Sequence, residues 1–565
     1  MRYHALACDY DGTLALNGRV DDATLAALER LRESGRRLLL VSGRRLEELK
    51  QVCPRLELFD RVVAEDGALI YRPETQEETP LGDPPPPEFT AELRRRGVDD
   101  LACGRVIVAT WEPHDHVVLD LIREMGIEYQ VIFNKGAVMV LPTGLNKAVG
   151  LRRALRELGL SPHNTVGVGD AENDHAFLSV CECAVAVANA LPVLKDHADL
   201  VTVADHGSGV VELAERLLAS DLAELSLERH ELMIGQDEAG GGLAVPGYGD
   251  NLLLAGTSGS GKSTVATAFM EQLAEQEYQY CIIDPEGDYA DFADAVAVGD
   301  RDRPPTITEL MGLLERGEGN FSANLIGLPL DDRPAFFERF FAALLDFRSR
   351  TGRPHWLIVD EAHHLLPASW ASPPLPVPTL LQGLLLITVH PELVSPQLLT
   401  RMHTIIALGE NPSETIAAFA HAGEHAPPVI SDMHLGQGEA LLWQTQRPAV
   451  RFRPLQPRAE LRRHLRKYAE GELPEDRNFR FRGPEGRLNI RAQNLRIFLQ
   501  IADGVDDETW TYHLRSGDYS RWMREAIKDL KLAEEVACLE RQEHSPAEGR
   551  RLLRRIIEEH YTGTA

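Results

Sequence analysis

Residues 6–14 read LACDYDGTL: an apolar run ends on Asp9, and a second carboxylate, Asp11, follows two positions later. A buried parallel strand delivers its last residues to the carboxyl edge of a sheet, where ligands collect. Two acids there suit Mg²⁺, which takes few carboxylates and fills its other positions with water and substrate phosphate. The pattern recurs along the chain. LLLVSGR ends in Ser42, NTVGVGDAENDHAF puts Asp170 and Asp174 after another apolar run, and Lys147 opens the helix-like NKAVGLRRALRELG. An acid after a strand is ordinarily a turn or cap residue. The whole set at successive strand ends and one helix start points instead to one shared site.

A second device follows. LLLAGTSGSGKST fits G-x-x-x-x-G-K-[ST], with Gly256, Ser258, Gly259, Ser260, Gly261, Lys262, Ser263 and Thr264 between an apolar strand and a helix-like stretch. In that context the glycines let backbone N–H groups wrap phosphates, Lys262 reaches the terminal phosphates, and Ser263 takes Mg²⁺. HWLIVDEAHHLLP supplies a second apolar run ending on Asp360, suited to the Mg²⁺ shell, and Glu361, suited to polarising water for ATP hydrolysis. Glu361 favours an ATPase over a kinase.

These residues need sheets to hold them. The first 220 residues alternate strand-like runs (YHALACDY, RRLLLVSG) with a helix-like DDATLAALERLRESG closed by Gly35, which is βαβ patterning with a parallel sheet. GDPPPPEF marks an insert, and HDHVVLDLIREMGIEYQVIFNKGAVMVLP reads as a helix and two strands. GQDEAGGGLAVPGYGD (235–250) reads as a glycine-rich, turn-like lead into a second βα series, which PASWASPPLPVPT (367–379) interrupts as a surface loop. The last ~110 residues are arginine-rich and mostly helical in pattern.

The bulk numbers fit this plan. A chain of 565 residues implies several domains. The net charge of −28 argues against a protein coated in nucleic acid. Arg447–Arg496 nevertheless carries 14 Lys/Arg against 6 Asp/Glu, a stretch that could bind phosphate polymers or dock on the acidic remainder. Seven scattered cysteines read as buried thiols of a reducing compartment. No apolar run reaches membrane-spanning length, and MRYHALACDYDGTL is neither a secretion signal nor a transit peptide, so the expected setting is cytoplasmic, without a membrane partner.

In order, DYDGTL, VSGR, NK and GDAEND resemble the four motifs of haloacid dehalogenase-type phosphatases, over about residues 1–220, with a short cap like that of the Cof-like, sucrose-phosphatase-like branch. The resemblance implies a Rossmann-like α/β core (1–71 and 143–220) with a small α+β cap (72–142). It also implies roles. Asp9 would attack phosphorus and form an aspartyl-phosphate, and Asp11 would protonate the leaving oxygen and then activate water. Ser42 and Lys147 would hold the phosphoryl oxygens; Asp170, with Asp9 and the Asp11 main chain, would hold Mg²⁺, with Asp174 orienting that shell. The substrate would be a phosphorylated small molecule or a nucleotide.

GTSGSGKS, YCIIDPEGDYADF and LIVDEAHHLL together resemble the HerA/FtsK-type branch of P-loop motor ATPases, over about 235–445. That implies ATP as cofactor, an α/β P-loop domain (235–455), a homo-oligomer (a hexamer by analogy) and DNA as a possible partner. Where that branch commonly has glutamine, the chain has His390 in TVHPE. Residues 456–565 then form a mainly helical C-terminal domain whose aromatics, Phe479, Phe481, Trp510, Tyr512, Tyr519 and Trp522, suit a hydrophobic core or base stacking. Four whole-chain readings stand side by side: a bifunctional phosphatase–ATPase, a DNA-engaging motor or defence ATPase with a nucleotide or polynucleotide-end phosphatase, a kinase–phosphatase pair, and an ATP-switched scaffold whose P-loop binds without turnover.

Overall fold

The computed structural model describes residues 1–565 except 54, 135, 318, 369–380, 429–434, 437, 446, 459–476, 485, 487, 528, 543 and 562–565. The chain divides into two compact units, Met1–Gln456 and Pro457–Ala565.

The first unit opens with an eight-stranded sheet in the order Leu200–Val201, Cys183–Ala186, Thr165–Gly169, Ala5–Asp9, Arg37–Val41, Arg61–Ala64, Leu69–Arg72, Glu77–Pro80. The first six strands run parallel; Leu69–Arg72 folds back antiparallel on Arg61–Ala64, and Glu77–Pro80 pairs antiparallel with Leu69–Arg72. Ala5–Asp9 is central and wholly buried, because helices on both faces cover a run with no polar residue before Asp9. The helix Asp22–Glu33 begins where Asp21 accepts the Thr24 N–H, and ends before Gly35, whose φ of 93° only glycine adopts cheaply.

Between these strands lies a four-stranded antiparallel sheet, Ala102–Cys103, Val108–Trp111, Ala137–Pro142, Tyr129–Asn134. Helices Pro87–Arg95 and Asp115–Met125 cover one face through Phe89, Leu93, Val118 and Leu121. Met139 and Leu141 cluster with Ala68 of the larger sheet's loops. Glu65, fully buried, accepts the N–H groups of Arg105, Val106 and Ile107 at 2.8–3.0 Å and pins this insert to the core.

An eleven-stranded sheet follows. Its parallel part runs Thr404–Leu408, Asn251–Gly256, Leu384–Thr388, Trp356–Val359, Tyr280–Asp284, Asn320–Asn324, Ala295–Val298. Antiparallel strands Ala440–Gln444 and Val450–Pro454 extend it, and then a hairpin, Glu231–Asp237 with Gly242–Pro246. That hairpin corrects the turn-like reading of 235–250. Its four glycines mask alternating strands in which Leu232, Ile234 and Val245 are buried, and only the tip is a turn, with Asp237 accepting the Ala239 and Gly241 N–H groups. The proline-rich stretch 367–379 lies mostly outside the described residues.

The second unit pairs Phe479–Phe481 with Ile490–Ala492 and adds helices Leu495–Gly504, Asp507–Arg515, Asp518–Trp522, Leu530–Glu540 and Pro546–Tyr561. Phe479, Phe481, Trp510, Tyr519 and Trp522 form its core, and Tyr512 is exposed. These aromatics are therefore packing groups. His513 is also structural: Nδ1 meets Asp518 at 2.8 Å and Nε2 accepts the Arg482 N–H. All seven cysteines are free thiols, five of them buried. Among the described residues, no helix is long and apolar enough to cross a membrane.

Candidate functional sites

Asp9 sits at the carboxyl end of the central strand, 4% exposed. Helix Lys147–Glu157, started by the Asn146 side chain on the Val149 N–H, aims its first residue back at that edge. Lys147 Nζ lies 2.6 Å from Asp9 Oδ1 and 2.6 Å from Asp174 Oδ1. Asp174 Oδ2 accepts the N–H groups of Asp170 and Ala171, both at 2.9 Å, so both Asp174 oxygens are engaged. Asp170 takes the Thr13 hydroxyl at 3.3 Å. Carboxylate oxygens of Asp9, Asp170 and Asp174 come within 4.8 Å of one another. Such a hard, all-oxygen set fits Mg²⁺.

The electrostatics are those of crowded buried charge. Burial, and then Asp174, push the Asp9 carboxyl up to about 8 against the pull of Lys147. Burial alone would lower the Lys147 ammonium, but Asp174, Asp9 and Asp66 hold it above its ordinary value. A divalent cation would favour the ionised Asp9.

Ser42 ends the neighbouring strand, 1% exposed, and its Oγ accepts the Arg44 N–H at 3.1 Å. Asp11 is half-exposed and gripped by two nitrogens of Arg44. Two groups escaped the sequence reading. Asp66, buried at a φ of 53°, accepts from Asn173 at 2.8 Å and faces Lys147; burial raises its carboxyl. Arg44 was visible only as a basic residue beside Ser42.

The second site forms where Asn251–Gly256 runs into helix Lys262–Glu275. Gly256 lies so close to the next strand that a Cβ would meet the Leu408 carbonyl at 2.3 Å, and Gly259 and Gly261 take φ of 76° and 98°. Ser258 and Gly259 are exposed at the loop tip, and Ser263 and Thr264 are half-buried in the first helical turn. Lys262, 7% exposed, folds back on the Gly256 and Thr257 carbonyls at 2.8 and 3.1 Å. Ser260 Oγ is buried without a hydrogen-bond partner. An open loop of N–H groups with an orphaned hydroxyl fits a polyphosphate.

Asp360, 2% exposed, follows the strand one removed from the phosphate loop's strand, and its Oδ1 accepts the Glu361 N–H at 3.0 Å. Glu361 takes a φ of 42°, a conformation costly for this residue. His363 stands 3.6 Å from Glu361 and 3.2 Å from Thr388 Oγ1; burial, then His364, His390 and Lys262, push it down to about 4, so it is neutral near pH 7. Two further residues were not singled out from sequence. Thr388 ends the intervening strand, fully buried, and its Oγ1 accepts the His390 N–H. Asp284 ends the strand beyond Asp360 and accepts from Gly287 and Tyr289; burial pushes it up to about 7. His390 itself is half-exposed beside Glu392.

A family profile described as haloacid dehalogenase-like hydrolase matches residues 6–84 and 120–213, and an AAA domain profile matches residues 247–389. The phosphoglycolate phosphatase of Methanothermobacter thermautotrophicus is 29% identical over 223 residues, 38% of this chain and 98% of that protein. The phosphoglycolate phosphatase of Haloarcula marismortui is 31% identical over 216 residues, 37% of this chain and 94% of its own. A solved haloacid dehalogenase-like hydrolase from Bacteroides thetaiotaomicron aligns with 38% of this chain and 99% of its own at 21% identity and a TM-score of 0.34.

Proposed function

Because this chain belongs, through its N-terminal part, to the haloacid dehalogenase-like hydrolases, we propose that it is a bifunctional hydrolase. A Mg²⁺-dependent phosphomonoesterase working through an aspartyl-phosphate is joined to an ATP-hydrolysing AAA-type domain. The observation that carries the first half is the Lys147 ammonium held 2.6 Å from Asp9 at the end of the central strand.

Asp9 Oδ attacks phosphorus, the P–O bond to the leaving group breaks, and Asp11 gives its proton to the departing oxygen. Asp11 then takes a proton from water, whose oxygen attacks phosphorus and frees Asp9 with inorganic phosphate. Asp11 enters this cycle released from the Arg44 ion pair and protonated by solvent, and the proton taken from water restores that form. Ser42 Oγ and Lys147 hold the phosphoryl oxygens. Asp9, Asp170 and the Asp11 main chain would hold Mg²⁺, with Asp174 fixing Asp170 and Lys147 in place; the ion, when bound, neutralises phosphoryl charge. The substrate class is a small phosphate monoester such as 2-phosphoglycolate, as the names of the relatives suggest.

In the second domain Lys262 and the loop N–H groups grip ATP phosphates, Ser263 and Asp360 would hold Mg²⁺, and Glu361 orients the attacking water. His363, neutral near pH 7, hydrogen-bonds Thr388 and lies 3.6 Å from Glu361.

The test is turnover of 2-phosphoglycolate and other small monoesters with and without Mg²⁺. Mg²⁺-dependent release lost in Asp9→Asn supports the reading; release retained by Asp9→Asn overturns it.

A second reading, a HerA/FtsK-type DNA-engaging motor working as a homo-oligomeric ring, draws on one observation. In the C-terminal unit Arg480 stands opposite Arg491 across two paired strands, a cationic face of the kind that phosphate backbones select. Duplex DNA binding that weakens steeply with salt, together with hexamers in sedimentation, favours it.

A further inference from the structure

Arg353 is a guanidinium 5% exposed with no carboxylate within ion-pair distance among the described residues. Its Nε donates to the Gly159 carbonyl at 3.0 Å and Nη1 to Gln279 Oε1 at 3.1 Å, both neutral acceptors. The Phe347 ring lies 5.6 Å away. Gly317 lets its loop close on the same head, where an added Cβ would stand 3.0 Å from Nη1. Burying a charge without an opposite charge is expensive, and here burial alone pushes this arginine down to about 10.

The head opens onto a cavity of about 330 Å³ between the phosphatase core and the P-loop domain. Arg152, Arg156 and Arg316 line the same cavity. The acids on its wall are Glu277, which pairs with Arg152, and Glu315. Among the described residues, four guanidiniums and two carboxylates thus line the cavity. The volume is at the lower end of what small-molecule ligands occupy, roughly 300–1,000 Å³. Arginine forks match tetrahedral oxyanions in two-point hydrogen bonds.

We propose that this cavity is a binding site for a phosphate-bearing small molecule, distinct from both candidate reaction centres, with Arg353 as its buried anchor and Arg156 and Arg316 at its rim. Its place in the fold gives the ligand a route to both centres. Helix Lys147–Glu157 runs from the site of Asp9 to Arg152 and Arg156, and strand Tyr280–Asp284 starts beside Gln279 and ends at Asp284.

The test is calorimetric titration of the full chain carrying Asp9→Asn and Lys262→Ala, in EDTA, with inorganic phosphate, pyrophosphate and AMP as separate ligands. One equivalent of at least one anion should bind. Adding Arg156→Ser with Arg316→Ser, both exposed and tolerant of change, should weaken that binding at least about tenfold, and Arg353→Lys, which keeps the charge but loses the fork, should weaken it as well. Preference for phosphate or pyrophosphate identifies a free anion; preference for AMP identifies a nucleotide. Absence of binding by all three, or equal affinity with and without the rim substitutions, overturns the site.

Discussion

The Lys147 ammonium touches the Asp9 carboxylate at 2.6 Å while reaching Asp174 at the same distance, so one buried cation balances two buried acids. Removing it leaves those acids repelling each other. Lys147→Ala should lower the unfolding free energy by about 3–5 kcal/mol, the range for breaking a buried ion pair, and cut phosphomonoester turnover by at least about 10². Asp9→Asn removes one of the competing acids and should cost far less stability. Denaturant midpoints with turnover rates check both; equal destabilisation by the two variants would contradict this charge balance.

Glu361 stands beside Asp360 in a strained conformation and beside a neutral histidine. Glu361→Gln should bind ATP as wild type does and hydrolyse it about 10²–10⁴-fold more slowly, since it removes a base but no phosphate contact. Phosphomonoester release should not change. Nucleotide binding and steady-state ATPase rates measured together decide this.

A Cβ added at Gly256 would stand 2.3 Å from the Leu408 carbonyl oxygen, so only glycine fits where the strand enters the phosphate loop. Gly256→Ala must move that strand or the loop, at a cost of roughly 1–3 kcal/mol by analogy with overpacked cores. ATP binding should fall with it. Retention of wild-type ATP affinity would mean that the loop adapts.

Glu182, fully buried, accepts from Arg2 at 2.6 Å, His163 at 2.7 Å and Tyr278 at 2.9 Å, and so ties the phosphatase core to the P-loop domain. Burial would raise its carboxyl, but the His163 hydrogen bond and the charges of His163, His230 and Arg2 hold it well below the usual 4.5. A depressed carboxyl contributes stability that is present above its unfolded value and lost as pH falls. Glu182→Gln should therefore cost several kcal/mol near pH 7, about 3–5 by the same buried-pair reasoning, and its gap from wild type should narrow below about pH 4.5. Urea melts across pH check this; a gap that stays constant would contradict it.

Much of the first site was legible because each residue follows an unbroken apolar run. Asp9, Ser42 and Asp170 are read at strand ends, and Lys147 at a helix start after Asn146. The phosphate loop was legible for the same reason. Glu182 and Arg353 were not, because neither ends a strand and they bond across domains, to Tyr278 and Gly159, 96 and 194 positions away. Thr388 and Asp284 end strands too, yet Thr388 is chemically inconspicuous and Asp284 lies in a turn-forming DPEG. The 231–246 hairpin was hidden by its glycines, which lower strand propensity although the sheet edge accepts them. The alternating arginines and aromatics of 479–482 suit stacking or core equally, and burial of Phe479 and Phe481 decided for core.

On this account one chain holds two separate phosphoryl centres, at Asp9 and at Lys262. The direct measurement is phosphate release from a small monoester and from ATP, side by side, by wild type, Asp9→Asn and Lys262→Ala. Asp9→Asn should abolish only monoester hydrolysis, and Lys262→Ala only ATP hydrolysis. Loss of both activities in either variant would contradict two independent centres.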